Sequence, residues 1–157
     1  MGTAATTTEQ LPAGDFQLAV VLSRYNDDIV GALLEGAQRA WHARGGREAA
    51  LRIERVPGAF ELPLAARAFA LSGTVDAVVA LGCVIRGETA HFEYVAGECA
   101  RGLQRVMLDT GVPIAFGVLT VESRAQALER AGDDRQNKGH EALETALAMA
   151  SLLRRLR

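Results

Sequence analysis

Residues 75–94 read VDAVVALGCVIRGETAHFEY, and the parsing of this stretch decides the fold. Val75 to Leu81 is an apolar, β-branched run that suits a buried strand. Phe92, Val95, Ala96, Cys99, Leu103, Val106 and Met107 then recur at helical spacing. Between them lie Gly82 and Gly87, small polar residues and His91. A strand emptying into a helix N-terminus suits an anion, because the first-turn N–H groups lack partners and the positive end of the dipole faces outward. Gly87 lets the backbone approach a ligand, and Glu88 and Thr89 are placed to cap the helix. The same residues also suit a strand–loop–helix junction that does no more than cap itself.

The pattern repeats on both sides. Upstream, Phe16–Leu22 predicts a buried strand, followed by the polar turn Ser23–Asn26. A helix opening on Asp27 and Asp28 comes next, and Gly45-Gly46 stops it. Leu51–Val56 alternates as a second strand, broken by Pro57-Gly58, and Pro63 suits the first turn of the next helix. Downstream, Ile114–Leu119 predicts a fourth strand. Ser123 with Gln126 is a capping-box signature for a short helix, and a last helix starts near Gly139. Strands alternating with helices predict an α/β fold with a parallel sheet covered on both faces. The loops after the strands, at Ser23–Asn26, Pro57–Glu61, Gly82–His91 and Thr120–Ser123, then share one rim, where such sheets bind ligands.

The 157 residues suit a single domain, expected over 15–157, preceded by a polar Thr/Ala-rich arm over 1–14. The arm is either a tail or a segment that pairs with a neighbouring subunit, and it has no secretory pattern. A net charge of −2 does not point to nucleic acid, and no apolar run approaches a membrane span. Cys83 and Cys99 have neither metal-ligand nor disulfide spacing, so two buried thiols in a reducing cytoplasm are expected. Dinucleotide, P-loop, nucleophile-elbow and HExxH patterns are absent. His42, His91 and His140 lack metal-site spacing, so a catalytic metal is not expected.

The rim holds His91, which could move protons near neutrality, and Tyr25 and Phe60, which could sandwich a flat heterocycle. Glu61 is poised for hydroxyl or amine recognition. Arg130 and Lys138 could reach a phosphate. Read singly, Phe60 better suits a core position, and Arg130 and Lys138 better suit solvated charges at helix ends.

Six motifs in order carry a resemblance. They are Ser23-Arg24-Tyr25-Asn26, Val56-Pro57-Gly58-Ala59-Phe60-Glu61-Leu62-Pro63, Gly82 to Phe92, Gly117-Val118-Leu119-Thr120, Glu129-Arg130-Ala131-Gly132 and Asn137-Lys138-Gly139. From Phe16 to the C-terminus the chain resembles the 6,7-dimethyl-8-ribityllumazine synthase family of riboflavin biosynthesis. The resemblance implies a flavodoxin-like subunit with a four-stranded parallel sheet. It implies condensation of 5-amino-6-(D-ribitylamino)uracil with 3,4-dihydroxy-2-butanone 4-phosphate, without cofactor or metal. It implies a homopentamer with active sites between subunits and the arm added to a neighbour's sheet, a sixty-subunit icosahedral shell being the larger assembly. Association with riboflavin synthase is a further implied partnership. By position, Tyr25, Asn26, Ala59, Phe60, Glu61, Cys83, Val84, Ile85, Phe116 and Lys138 match the ribitylaminouracil site. Gly87, Glu88, Thr89 and Arg130 match the phosphate site, and His91 matches the proton-transfer residue. Tyr25 departs from the Phe or Trp more usual there, while keeping a π-face. A flavin-binding module and a related archaeal riboflavin synthase are the competing readings.

Overall fold

The computed structural model describes residues 12–157. Its four strands are β1 (Leu18–Ser23), β2 (Leu51–Val56), β3 (Ala77–Ile85) and β4 (Ile114–Val121). They form one all-parallel sheet in the order β2-β1-β3-β4. The helices are α1 (Asp27–Ala43), α2 (Leu62–Leu71), α3 (His91–Thr110), α4 (Arg124–Arg130) and α5 (Lys138–Leu156).

β1 reads LAVVLS and is buried at every position, as is β3 from Ala77 through Cys83. Inner strands covered on both faces need apolar residues continuously rather than alternately. The pleat sends successive residues to opposite sides. Leu18, Val20 and Leu22 pack with Leu33, Trp41, Leu143 and Leu147 in a core shared with α1 and α5. Ala19 and Val21 pack with Leu62, Phe69, Cys99 and Leu103 in a second core under α2 and α3. The small residues of this second layer bring helices close: a Cβ on Gly102 of α3 would meet the Pro63 ring at 2.7 Å.

α1 and α5 are also joined by a forked pair, Arg44 Nη2 to Glu144 Oε2 at 2.8 Å and Arg44 Nε to Glu144 Oε1 at 2.9 Å. Beyond α1, Gly45 takes a left-handed conformation (φ 78°), as its expected role in stopping the helix requires. Gly46 tucks under Trp41, whose indole N–H donates to the Arg47 carbonyl at 3.0 Å.

Three strands end later than the sequence suggests, β1 by one residue at Ser23. Gly82 interrupts the apolar run and makes Leu81 look terminal, yet β3 continues to Ile85 because each residue from Val78 to Ile85 has a partner in β4. Correspondingly, β4 reaches Val121 rather than Leu119. Gly82 through Ile85 therefore belong to the sheet and not to the loop. At their starts, β1 and β3 begin at Leu18 and Ala77, each two residues later than expected. Gln17 and Asp76, the residues just before, are joined by two hydrogen bonds of 2.7 Å. β2 lies at the sheet edge and is exposed from Arg52 through Arg55, so its alternation does not mark a buried face.

Residues 1–11 of the N-terminal arm lie outside the described residues. Ala13, just after them, is buried, and its N–H donates to the Arg44 carbonyl at 2.8 Å. No helix among the described residues is long and apolar enough to cross a membrane.

Candidate active site

Because β1 is flanked by β2 on one side and β3 on the other, the chain leaves β1 and β3 in different directions, and a crevice opens beyond their carboxyl ends. A groove of about 360 Å³ lies there, lined by Tyr25, Gly58, Ala59, Phe60, Glu61, His91, Tyr94 and Val95. It draws on the segments following β1, β2 and β3.

Tyr25 is exposed, and its neighbour Asn26 is held to β3. Asn26 adopts a left-handed conformation (φ 57°), and its Nδ2 donates to the Cys83 carbonyl at 3.0 Å. That bond spends on β3 the side chain that would otherwise cap α1, and α1 accordingly has no side-chain cap. Asp27 and Asp28 take the first-turn places as expected. Asp27 pairs with Arg55 at 2.7 Å and Asp28 pairs with Arg124, whose guanidinium holds the Asp28 carboxyl below its usual range.

The segment after β2 forms one 3-10 turn, Ala59–Glu61. Glu61 Oε2 accepts the Gly58 N–H at 2.9 Å, so the carboxylate braces its own turn through one oxygen. Gly58 is confined from both sides. A Cβ there would sit 3.1 Å from Glu61 Oε2 and 3.3 Å from two carbons of the Tyr25 ring. Phe60 is 58% exposed, so the core position that its residue type alone would favour is not the one it takes.

The β3–α3 loop is held at its start. The Arg86 N–H donates to the Val121 carbonyl at 2.9 Å, and its guanidinium pairs with Glu93 and, at 2.8 Å, with Glu122. It also stacks 4.3 Å from the Phe92 ring centroid. Hydrogen bonding from Arg86 holds the Glu93 carboxyl below its ordinary range. Gly87, Glu88 and Thr89 are exposed beyond this clamp. The expected cap is only partly realised. Thr89 Oγ1 accepts the His91 N–H at 3.3 Å, while the N-cap position itself is Ala90.

Of the residues singled out from the sequence, the groove gathers Tyr25, Ala59, Phe60, Glu61 and His91. Asn26, Cys83, Val84 and Ile85 stand at the strand ends outside its lining. The Cys83 carbonyl is already engaged, and burial raises the Cys83 thiol to about 11. Phe116, Arg130 and Lys138 are also outside the groove. Phe116 is 48% exposed on the edge strand β4. Arg130 ends α4, where its Nη1 donates to the Gln126 carbonyl at 2.9 Å. Lys138 opens α5 and pairs with Glu141 at 2.8 Å. Tyr94 and Val95 were not foreseen as groove residues. The available signal was spacing, since Tyr94 is three residues after His91 on one helix face. Among the described residues, no group of three or more His, Cys, Asp or Glu is placed to hold a metal.

An open parallel sheet covered on both faces, with an aromatic and carboxylate-bearing groove beyond its strand ends, defines a flavodoxin-like α/β subunit built to hold a small molecule. A family model described as 6,7-dimethyl-8-ribityllumazine synthase matches residues 15–154. The chain is 49% identical over 144 residues to 6,7-dimethyl-8-ribityllumazine synthase of Chlorobium limicola, covering 92% of this chain and 93% of that protein. The chain thus belongs to the 6,7-dimethyl-8-ribityllumazine synthase family. Its activity is the condensation step of riboflavin biosynthesis that forms 6,7-dimethyl-8-ribityllumazine, a transferase reaction. Family membership implies small-molecule substrates and a homo-oligomer.

Proposed function

We propose that the condensation takes place in a site shared by neighbouring subunits. One subunit supplies the groove and its proton-transfer residue, and the next supplies Phe116, Arg130 and Lys138. The observation that carries this reading is the separation of the two residue sets: a single subunit gathers aromatic rings, Glu61 and His91 in one groove and leaves the cationic residues elsewhere.

In this reading Tyr25 and Phe60 stack the pyrimidine of 5-amino-6-(D-ribitylamino)uracil, with the partner's Phe116 as a further wall. Asn26, Ala59 and the β3 end from Cys83 to Ile85 flank the ring. Glu61, with one oxygen committed to Gly58, keeps the other for ribityl hydroxyls. The exposed amides of Gly87, Glu88 and Thr89 take the phosphate of 3,4-dihydroxy-2-butanone 4-phosphate together with Arg130. The ring amine attacks the ketone and an imine forms with loss of water. A carbon-bound proton then leaves as phosphate is eliminated. His91 moves that proton, and Arg130 with the loop amides stabilises the departing anion. Ring closure with a second loss of water completes the lumazine. Much of the acceleration comes from holding two reactants in one orientation.

The assembly in this reading is a pentamer, with the sixty-subunit shell as its larger form and riboflavin synthase as an associated enzyme in the cytoplasm. The exposed edge strand β2, with Ile53 36% exposed, supports addition of a neighbour's arm to this sheet. The arm comprises 1–14 and the catalytic domain 15–157.

Steady-state assays that follow lumazine fluorescence test the roles. His91→Ala lowers kcat by about 100-fold or more without abolishing turnover. Arg130→Ala raises KM for the butanone phosphate by about 10- to 100-fold, the worth of a charge-assisted hydrogen bond. Complete loss of turnover with intact binding in the first variant, or an unchanged KM in the second, contradicts the assignment.

A further inference from the structure

Asn137 and Ser23 are the two polar residues buried within the described part of the chain. All the hydrogen-bonding capacity of the Asn137 amide is used. Its Oδ1 accepts the N–H groups of Gly139 at 2.8 Å and His140 at 3.1 Å, capping α5. Its Nδ2 donates to the Gly132 carbonyl at 2.7 Å and to the Ala32 carbonyl at 3.1 Å. One side chain therefore joins three pieces: the start of α5, the far end of the α4–α5 loop, and α1.

The seat is rigid because two glycines make room for it. A Cβ on Gly36 of α1 would fall 2.1 Å from Asn137 Oδ1, and one on Gly139 would fall 1.9 Å from the Leu33 carbonyl oxygen. The Asn137 backbone is tied too, its N–H reaching the Asp134 carbonyl at 3.2 Å.

The tie has a consequence for the two cations that flank the loop. Arg130 lies two residues before Gly132, and Lys138 follows Asn137 directly. Both side chains are otherwise anchored by local contacts only, Arg130 to Gln126 and Lys138 to Glu141. We infer that Asn137 is a positioning residue for the phosphorylated substrate: by clasping Gly132 to the head of α5 it fixes where the end of α4 presents Arg130, while Lys138, on the uracil side of the site, stays with the capped head of α5. The inference rests on the phosphate role given to Arg130 above, and Asn137 itself touches no substrate.

Asn137→Ser separates the two jobs of the amide. Serine still caps α5 but no longer reaches the Gly132 and Ala32 carbonyls. The expected result is an unchanged helix signal in circular dichroism and a roughly tenfold rise in KM for the butanone phosphate, the size of effect that small misplacement brings. KM for the ribitylaminouracil stays where it was. Arg130→Ala is measured alongside. If Arg130→Ala raises KM for the phosphate substrate and Asn137→Ser raises neither KM, or both alike, Asn137 is a structural cap and the inference is overturned. If Arg130→Ala itself gives no split, the phosphate reading fails and the inference goes with it.

Discussion

Tyr25 shows how a single side chain is set by residues far from it in sequence. Its ring lies against Gly58, and its neighbour Asn26 is held to β3 by the bond to the Cys83 carbonyl. Positions 25, 60, 61 and 91 were legible in advance as rim positions because each lies in, or closes, the connection between a strand and the next helix, where a parallel sheet opens. Their partners were not legible. Nothing local announces that Glu61 folds back on Gly58, or that the Asn137 amide reaches residues 32 and 132. The cysteines were read as buried free thiols, and they are. Burial raises both to about 11. At pH 8 the thiolate fraction is then about one in a thousand. A thiol reagent at that pH should leave the native protein unlabelled and modify both cysteines once denaturant is added. Rapid labelling of the native protein contradicts the assigned burial.

At the scale of elements, strand boundaries were the weak point and helix starts the strong one. Ser123 accepts the Gln126 N–H at 3.2 Å and Gln126 Oε1 accepts the Glu122 N–H at 2.8 Å, close to the pattern that the Ser123–Gln126 spacing announces. The Ser123 cap is local, so sequence shows it; the end of β3 is set by the length of β4, so it does not. The head of α5 also carries a pH dependence. Burial lowers the pKa of His140 below its ordinary 6.5, against the opposing influence of Glu144, while Arg135, Arg39 and Arg44 lower it further. The unfolded chain therefore takes up this proton first as pH falls below about 6.5. The stability that neutral His140 contributes is complete above that pH and is lost as pH falls toward the folded-state value. Between pH 7.5 and 5.5, His140→Gln should lose less thermal stability than the unaltered protein in melting curves. Equal losses contradict a buried neutral imidazole.

For the whole molecule, two cores on opposite faces of one sheet hold the subunit together, and a third category of apolar residue belongs to neither. Tyr25, Phe60, Leu64, Tyr94, Leu108 and Phe116 are all largely exposed in the isolated subunit. Scattered exposed leucines are ordinary, but aromatic rings gathered at a groove mark a surface meant to be covered. Family membership supplies the other half of that statement, a homo-oligomer. The sequence could place Phe116 in a binding role only through resemblance, and could mark Arg130 and Lys138 only as cations able to reach a phosphate, because within one chain none of the three meets the groove. The central claim, a site completed by the neighbouring subunit, is tested most directly by co-expressing His91→Ala and Arg130→Ala subunits and assaying the purified mixed oligomers. Each variant alone is impaired. In mixed oligomers with random neighbours, roughly a quarter of the interfaces pair an intact groove with an intact Arg130, so activity should recover to about that fraction of the unaltered enzyme. If the mixed oligomers show only the mean of the two impaired activities, the site is contained within a single subunit and the account is wrong.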